Sequence, residues 1–223
     1  AVLENPGVIA VLTADDIPGE NQIGNIILDE VLLTEKQVHF IGQPIALVVA
    51  EDRKTARKAA KQAKIKFERK KPILDARDAF RKDLLISPPR IFNLGDVKSA
   101  WSLCDVIVEG RVDSGGQEHL YLETQTSMAI PAEDGGVKIY SATQSATLVQ
   151  RIAARVLGLA THKVEVEVPR LGGAFGGKED QATVWACLAA CAAIKTGRPV
   201  KITLSRTEDI RYTGKRHPYS SDY

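Results

Sequence analysis

Ten residues in the C-terminal half, RLGGAFGGKE at positions 170–179, place four glycines around a single phenylalanine. The alternating run KVEVEVP precedes them, and the apolar run QATVWACLAACAAIK follows. Alternation predicts a half-buried strand, and an apolar run of that length predicts a buried helix. The glycines therefore lie in a turn from strand to helix, where backbone N–H groups can bind a ligand. We predict a mixed α/β fold around this turn.

The turn comes close to the phosphate-binding pattern G-x-x-x-x-G-K-[ST]. Gly172, Gly177 and Lys178 match it. Glu179 stands where a magnesium-binding hydroxyl is required, and its carboxylate would repel phosphate. The dinucleotide pattern G-x-G-x-x-G is absent, and a tight turn that only needs glycine is the plain alternative. The glycines around Phe175 favour a site for a bulky, partly apolar ligand. Glu179, expected in the first turn of the helix, would stay ionised there and accept hydrogen bonds.

The chain reads as two α/β regions joined by an irregular one. The first region alternates strand, helix and strand, with GVIAVLT, PIALVVA, a helix at 53–63 and KIKFE. The second has strands in DVIVEGRVD, LYLETQTSMAIP, GVKIYSAT, KVEVEVP and TGRPVKITLS, and helices near 145–157 and 181–195. We predict a small α/β domain at 1–85, a linker at 86–100, and the N-terminal part of a second mixed α/β domain at 101–223.

Several longer motifs around the turn narrow the possible families. GGQEHLYLETQ, TQSATLVQ, GGAFGGKE and KTGRPVKITLSRTEDIRYTGKRHPY, in that order, resemble the molybdenum-binding subunit of the xanthine dehydrogenase and aldehyde oxidase family. NPGVIAVLTADDIPGEN and GQPIALVVAEDRKTARKAAKQAKIKFE resemble the α/β hammerhead domain that precedes it in that family. The resemblance covers essentially the whole chain and favours the xanthine dehydrogenase branch. It implies a hammerhead domain followed by the first part of a molybdopterin-binding domain.

The resemblance also implies a reaction. In this family molybdopterin holds molybdenum with oxo, sulfido and hydroxyl ligands. The hydroxyl oxygen attacks an electron-poor carbon beside a ring nitrogen while hydride passes to the sulfido. Electrons then leave through 2Fe–2S clusters to FAD on partner domains or subunits. The expected substrate is a purine such as xanthine or hypoxanthine.

Five positions carry the family's site. Gln144 matches the glutamine whose amide contacts the apical oxo ligand of molybdenum without ligating the metal. Gly173, Phe175 and Gly176 match cofactor-binding loop residues that lie against the metal centre. Glu179 matches the substrate-binding carboxylate that hydrogen-bonds the purine, where aldehyde oxidases usually have a small apolar residue. One departure is Ala174, where many relatives have glycine.

Both ends of the chain look cut, so we expect it to be the N-terminal piece of a longer subunit. The resemblance places the catalytic glutamate, the substrate-binding arginines and most pterin contacts beyond Tyr223. No catalytic residue is therefore assigned here, and the chain alone is expected to be inactive and to bind no cofactor. A nucleotide-binding domain and a non-catalytic assembly scaffold are the alternative functions.

Other features are interpreted as structural. Glu118, His119 and Glu123 suggest a metal site, but buried polar pairing is the favoured role. Cys187 and Cys191 are predicted to be small core residues of an apolar helix. The basic run at 53–71 lacks the aromatics that nucleic-acid binding requires. No apolar run suits a membrane, and three cysteines without framework spacing indicate a reducing, cytoplasmic location.

Overall fold

The computed structural model describes all 223 residues. Its residues fall into two compact units, one made of 1–64 and 118–215 and the other of 65–117 and 216–223. In chain order the elements are β1 (Val8–Leu12), β2 (Leu47–Ala50), α1 (Arg53–Ala60), α2 (Ala76–Arg81), α3 (Val97–Ala100), β3 (Arg111–Ser114), β4 (Thr126–Pro131), β5 (Val137–Ser141), α4 (Ala146–Leu157), β6 (Val164–Glu167), α5 (Gln181–Thr196), β7 (Val200–Thr203), α6 (Arg206–Tyr212) and β8 (Tyr219–Asp222). The predicted mixed α/β fold class is confirmed.

A four-stranded mixed sheet supports the larger unit. Its strand order is β6-β5-β4-β7, with β4 antiparallel to β5 and β7, and β5 parallel to β6. A parallel pair needs a crossover connection, and α4 supplies it. Helix α5 packs against β4 and α4, so most of its residues are buried and its many alanines allow the close approach. Cys187 and Cys191 lie in this core, as predicted.

The N-terminal residues share the same core. Strands β1 and β2 pair antiparallel, and their Leu12 and Val49 belong to one apolar cluster with α4 and α5. Asp52 caps the N-terminus of helix α1, and its carboxylate accepts a hydrogen bond from the backbone N–H of Thr55 at 2.9 Å. The guanidinium of Arg155 on α4 donates to the carbonyls of Gln22 and Gly24. The division into domains at 1–85 and 101–223 stays a prediction.

The smaller unit is built on the antiparallel pair of β3 and β8. Asp222 on β8 accepts hydrogen bonds from Arg77 and Arg111, which joins α2 to this pair. Asp75 and Asp96 cap the short helices α2 and α3, and their carboxylates accept hydrogen bonds from backbone N–H groups. Many apolar side chains between 65 and 117 are exposed.

Four predicted elements differ in the structure. The alternating run KIKFE forms no strand, DVIVEGRVD forms one only from Arg111, and LYLETQTSMAIP forms one only from Thr126. The helix predicted at 53–63 ends at Ala60. An alternating pattern indicates a surface that could be half-buried, but a strand also requires a partner strand, and the parts of these segments that form no strand have none. None of the helices combines the length and the apolar character needed to cross a membrane.

Candidate functional site

The glycine loop, defined here as residues 170–179, connects β6 to α5 and depends on left-handed backbone. Gly173 has a φ of 90° and Gly176 a φ of 87°, values that favour glycine. Phe175 also has a positive φ, 53°, which is costly for a residue with a Cβ. The residue is 76% exposed. Strain of this kind persists only where surrounding contacts hold it, and it is concentrated at functional sites.

The other two glycines of the loop, Gly172 and Gly177, are required because neighbouring side chains leave no room for a Cβ. A Cβ on Gly177 would lie 2.7 Å from Cε1 of Tyr121 and 2.8 Å from Cγ of His119. A Cβ on Gly172 would lie 2.5 Å from Cβ of Glu123. The loop therefore rests directly on residues 119–123. Ala174 is buried and has no left-handed φ, so its methyl group fits without backbone strain.

Gln144 fastens the loop to the end of β5. Its side-chain carbonyl accepts hydrogen bonds from the backbone N–H groups of Gly176 at 3.1 Å and Lys178 at 3.2 Å. Its own backbone N–H donates to the carbonyl of Lys178 at 2.9 Å, and Thr143 Oγ1 donates to the same oxygen at 3.0 Å. With the carbonyl engaged, the amide nitrogen of this exposed side chain is left as a donor for a ligand.

Lys178 points away from the loop surface. The side chain is 0% exposed, and Nζ donates to Glu123 Oε2 at 3.1 Å. The ammonium also lies 4.6 Å from the centre of the Tyr121 ring, a cation–π distance. A phosphate-binding lysine must reach its ligand, so this lysine cannot serve a nucleotide on the outer side of the loop. The match of Lys178 to the phosphate-loop pattern is therefore coincidental.

The acidic residues at 118–123 form polar pairs, as the sequence predicted, although their carboxylates are partly exposed where burial was expected. Glu123 binds Lys178, and Glu118 binds Lys215 at 2.9 Å. His119 stacks on Tyr121 with ring centres 6.4 Å apart. No group of three or more potential ligands in the chain could hold a metal ion. These residues support the loop from below.

A buried network continues beneath the loop, and sequence reasoning missed it. Asp209 on α6 accepts hydrogen bonds from Tyr121 Oη at 2.8 Å and from the backbone N–H of Gln125 at 2.6 Å. Gln125 Nε2 donates to Tyr121 Oη and to the carbonyl of Gly177, both at 2.9 Å. Burial, then the Asp209 carboxylate beside it, raises the pKa of Tyr121 well above its ordinary value. The only sequence signal was an acidic residue in the first turn of α6.

Glu179 lies outside the helix, which corrects the prediction. Helix α5 begins at Gln181, and the side chain of Asp180, which precedes it, accepts no capping hydrogen bond. The Glu179 carboxylate is exposed and has no hydrogen bond or ion pair within the chain. The helix dipole acts within the first turn, so it contributes less to this carboxylate than expected. The acceptor is free to bind a ligand.

Four of the five predicted site residues thus lie in the glycine loop, and the fifth, Gln144, lies after the end of β5 and contacts the loop. Gly176 hydrogen-bonds to Gln144, Gly173 and Phe175 shape the loop, and Glu179 follows Lys178. A Cβ on Gly176 would meet nothing within 4 Å, so the space beside its backbone is open. The arrangement offers an amide donor, bare backbone, an aromatic ring and a carboxylate acceptor. It suits a ligand with both acceptors and donors.

Comparisons with known proteins agree with this arrangement. Residues 85–223 match the molybdopterin cofactor-binding domain, and residues 1–71 match the a/b hammerhead domain of aldehyde oxidase and xanthine dehydrogenase. The chain thus has the domain type that binds a molybdopterin cofactor. It belongs to the aldehyde oxidase and xanthine dehydrogenase family of molybdenum oxidoreductases.

Individual relatives come from both branches. The chain is 40% identical to the xanthine dehydrogenase/oxidase of Gallus gallus over 98% of its length, and 40% identical to aldehyde oxidase 1 of Bos taurus over 100%. It spans 16% and 17% of those proteins. The aldehyde oxidoreductase of Desulfovibrio gigas has a TM-score of 0.89 and 28% identity over 99% of this chain and 26% of that one. Overall similarity therefore does not separate a purine enzyme from an aldehyde enzyme.

The loop residues fit the cofactor that the family implies. A molybdenum centre carries oxygen ligands that accept hydrogen bonds, and the amide nitrogen of Gln144, which has no partner within the chain, would be a neutral donor suited to such a ligand. The open backbone at Gly176 lets a bulky group approach closely. Phe175, which precedes Gly176 in the chain and is exposed, adds an apolar surface to the loop.

Proposed function

We propose that this chain is part of a molybdenum hydroxylase that oxidises a purine at a carbon beside a ring nitrogen. The observation that carries the proposal is that two exposed polar groups of the loop region have no partner within the chain. They are the amide nitrogen of Gln144, whose side-chain carbonyl accepts from the Gly176 N–H at 3.1 Å, and the carboxylate of Glu179, which follows Gly176 closely in the chain. The bound molybdenum cofactor supplies the oxygen transfer and accepts the electrons. The residues of this chain orient the cofactor and the substrate.

Gln144 has two roles in this proposal. Its carbonyl holds the loop through Gly176 and Lys178, and its amide nitrogen donates to an oxo ligand of the metal. It contacts the cofactor without ligating molybdenum. A neutral donor suits this position because a charged group would change the electronics of the metal. Gly173, Phe175 and Gly176 form the cofactor-facing surface of the loop.

Glu179 selects the substrate. A purine presents ring N–H groups to a carboxylate, whereas a simple aldehyde presents none. A hydrogen bond to a charged group contributes roughly 1.5–3 kcal/mol. The free carboxylate therefore favours purine over aldehyde by up to about 10- to 200-fold in kcat/KM.

The test measures purine and aldehyde oxidation by the complete enzyme with Glu179→Val. We expect purine kcat/KM to fall about 10- to 200-fold and aldehyde kcat/KM to hold or rise. The matched control is Asp180→Ala, which removes the neighbouring exposed carboxylate. Equal losses on both substrates would reject substrate binding by Glu179. An enzyme that oxidises only aldehydes would place the chain in the aldehyde oxidase branch instead.

A second variant separates the two roles of Gln144. Gln144→Glu keeps oxygen acceptors for the loop but removes the amide donor. We expect it to slow purine and aldehyde oxidation alike, because it acts at the cofactor. Unchanged rates on both substrates would exclude the donor role.

The proposed enzyme requires partners that this chain does not contain. Electrons would leave through 2Fe–2S clusters to FAD on other domains or subunits. The remainder of the subunit would supply the catalytic glutamate and most pterin contacts. Metal, flavin and iron–sulfur analysis of the complete protein would test this part of the proposal.

A further inference from the structure

One carboxylate oxygen holds both ends of the glycine loop. Glu123 Oε2 accepts a hydrogen bond from the backbone N–H of Gly172 at 2.8 Å and from Nζ of Lys178 at 3.1 Å. The backbone N–H of Glu123 also donates to the carbonyl of Gly172 at 3.0 Å. Gly172 and Lys178 bracket the segment that contains Gly173, Phe175 and Gly176. The loop is therefore closed on a single side chain outside it.

The lysine at the far end cannot easily turn away. Its ammonium is fully buried and lies 4.6 Å from the centre of the Tyr121 ring. The hydroxyl of Tyr121 in turn donates to the buried Asp209. Long lysine side chains are almost never fully buried without a partner. Glu123 is the only acid paired with this ammonium, so it sets the direction of the Lys178 side chain.

The same lysine fixes Gln144 through its backbone. The backbone N–H of Lys178 donates to the side-chain carbonyl of Gln144 at 3.2 Å, and the backbone carbonyl of Lys178 accepts from the backbone N–H of Gln144 at 2.9 Å. A path of two hydrogen bonds therefore runs from Glu123 through Lys178 to the side-chain amide of Gln144. The first bond, between the Glu123 carboxylate and the Lys178 ammonium, joins two charged groups, which strengthens it.

We infer that Glu123 is a positioning residue for the cofactor-facing loop. It holds Lys178 inward and Gly172 in place, and so keeps the Gln144 amide nitrogen and the Gly176 backbone in one geometry. This inference rests on the proposed function of Gln144. The ammonium of Lys178 acts as a buried anchor, in contrast to the ligand-binding lysine of a phosphate loop. Residues that hold a site in place from behind in this way determine how precisely it binds.

The test is amide hydrogen exchange in the complete protein, first without cofactor, comparing wild type with Glu123→Gln. We expect the loop amides between 172 and 178 to exchange about 10- to 200-fold faster, the factor expected for a lost charge-assisted hydrogen bond. Exchange in α5 should stay unchanged. Glu133→Gln is the matched control, because Glu133 is an exposed glutamate in the β4–β5 turn. In loaded enzyme, kcat per bound molybdenum should fall while KM stays the same.

Unchanged loop exchange in Glu123→Gln would overturn the inference, and so would equal acceleration in the loop and α5, which indicates a role in the fold as a whole. If Glu123→Gln does not fold, Glu123→Asp keeps the charge on a shorter side chain and gives the same readout. Failure of both variants to fold would also overturn it. The exchange result needs neither cofactor nor substrate. A wrong proposed function would therefore appear in the Glu179 assay and leave the exchange result intact.

Discussion

Replacing Asp209 with alanine removes the acceptor at the centre of the network beneath the loop. Asp209 is 0% exposed and accepts from Tyr121 Oη at 2.8 Å and from the Gln125 N–H at 2.6 Å. In Asp209→Ala both buried donors lose this acceptor, and water has no direct access to replace it. Each unsatisfied buried group costs about 1–3 kcal/mol. We therefore expect the free energy of unfolding to fall by about 2–6 kcal/mol.

That loss is large compared with the total stability of a domain, about 5–15 kcal/mol. It corresponds to roughly 2–4 °C in Tm for each kcal/mol in a chain of this size. Urea unfolding followed by circular dichroism measures it, with an unchanged m-value as the sign that only stability changed. The control is Asp134→Ala. Asp134 pairs with Lys163 at the surface, and such pairs contribute about 0–1 kcal/mol.

A double-mutant cycle with Tyr121→Phe checks the assignment. If Tyr121 and Asp209 interact directly, the change in unfolding free energy of the double mutant will differ from the sum of the two single-mutant changes by about 0.5–3 kcal/mol. Additive effects would refute the hydrogen bond as the source of the loss. An Asp209→Ala variant as stable as the Asp134 control would refute the whole network.

Three further predictions concern the loop, the core and the smaller unit. Gly177→Ala puts a methyl group 2.7 Å from Cε1 of Tyr121, so calorimetry should detect a loss of about 1–3 kcal/mol, and an unchanged Tm would contradict the packing. Burial raises the pKa of Cys191 to about 12, so iodoacetamide at pH 8 should label the exposed Cys104 and spare Cys191 in a mass spectrum of the native protein. Two arginines lower the pKa of Asp222 from 3.8 to about 2, so its stabilisation is complete above pH 3.8 and is lost as the pH falls through about 2. An NMR titration of that carboxyl with a midpoint near 3.8 would contradict the ion pairs.

Local patterns in the sequence determined a large part of this protein. The alternation in GVKIYSAT and KVEVEVP predicted β5 and β6, and the apolar run after the glycines predicted α5. A strand with one buried face alternates apolar and polar residues, and a helix buried on all faces is a continuous apolar run, so both patterns are visible within a few neighbouring residues. The same run predicted that Cys187 and Cys191 lie in the core. The motifs around Gln144 and Phe175 identified the family, and the structure brings Gln144 and Gly176 into contact.

The tertiary structure alone decided what lies beneath the loop. Lys178 turns inward because Glu123, 55 residues earlier in the chain, offers a carboxylate there. Tyr121 and Asp209 form a hydrogen bond although 88 positions separate them in the sequence, and no local periodicity predicts a contact between residues so far apart. The start of α5 at Gln181, which leaves Glu179 outside the helix, follows from the loop's attachments to Gln144 and Thr143. The direction of a side chain depends on partners that are distant in the sequence. A glycine loop whose sequence resembles a phosphate-binding loop can therefore bury its lysine once it is folded, instead of presenting it to a ligand.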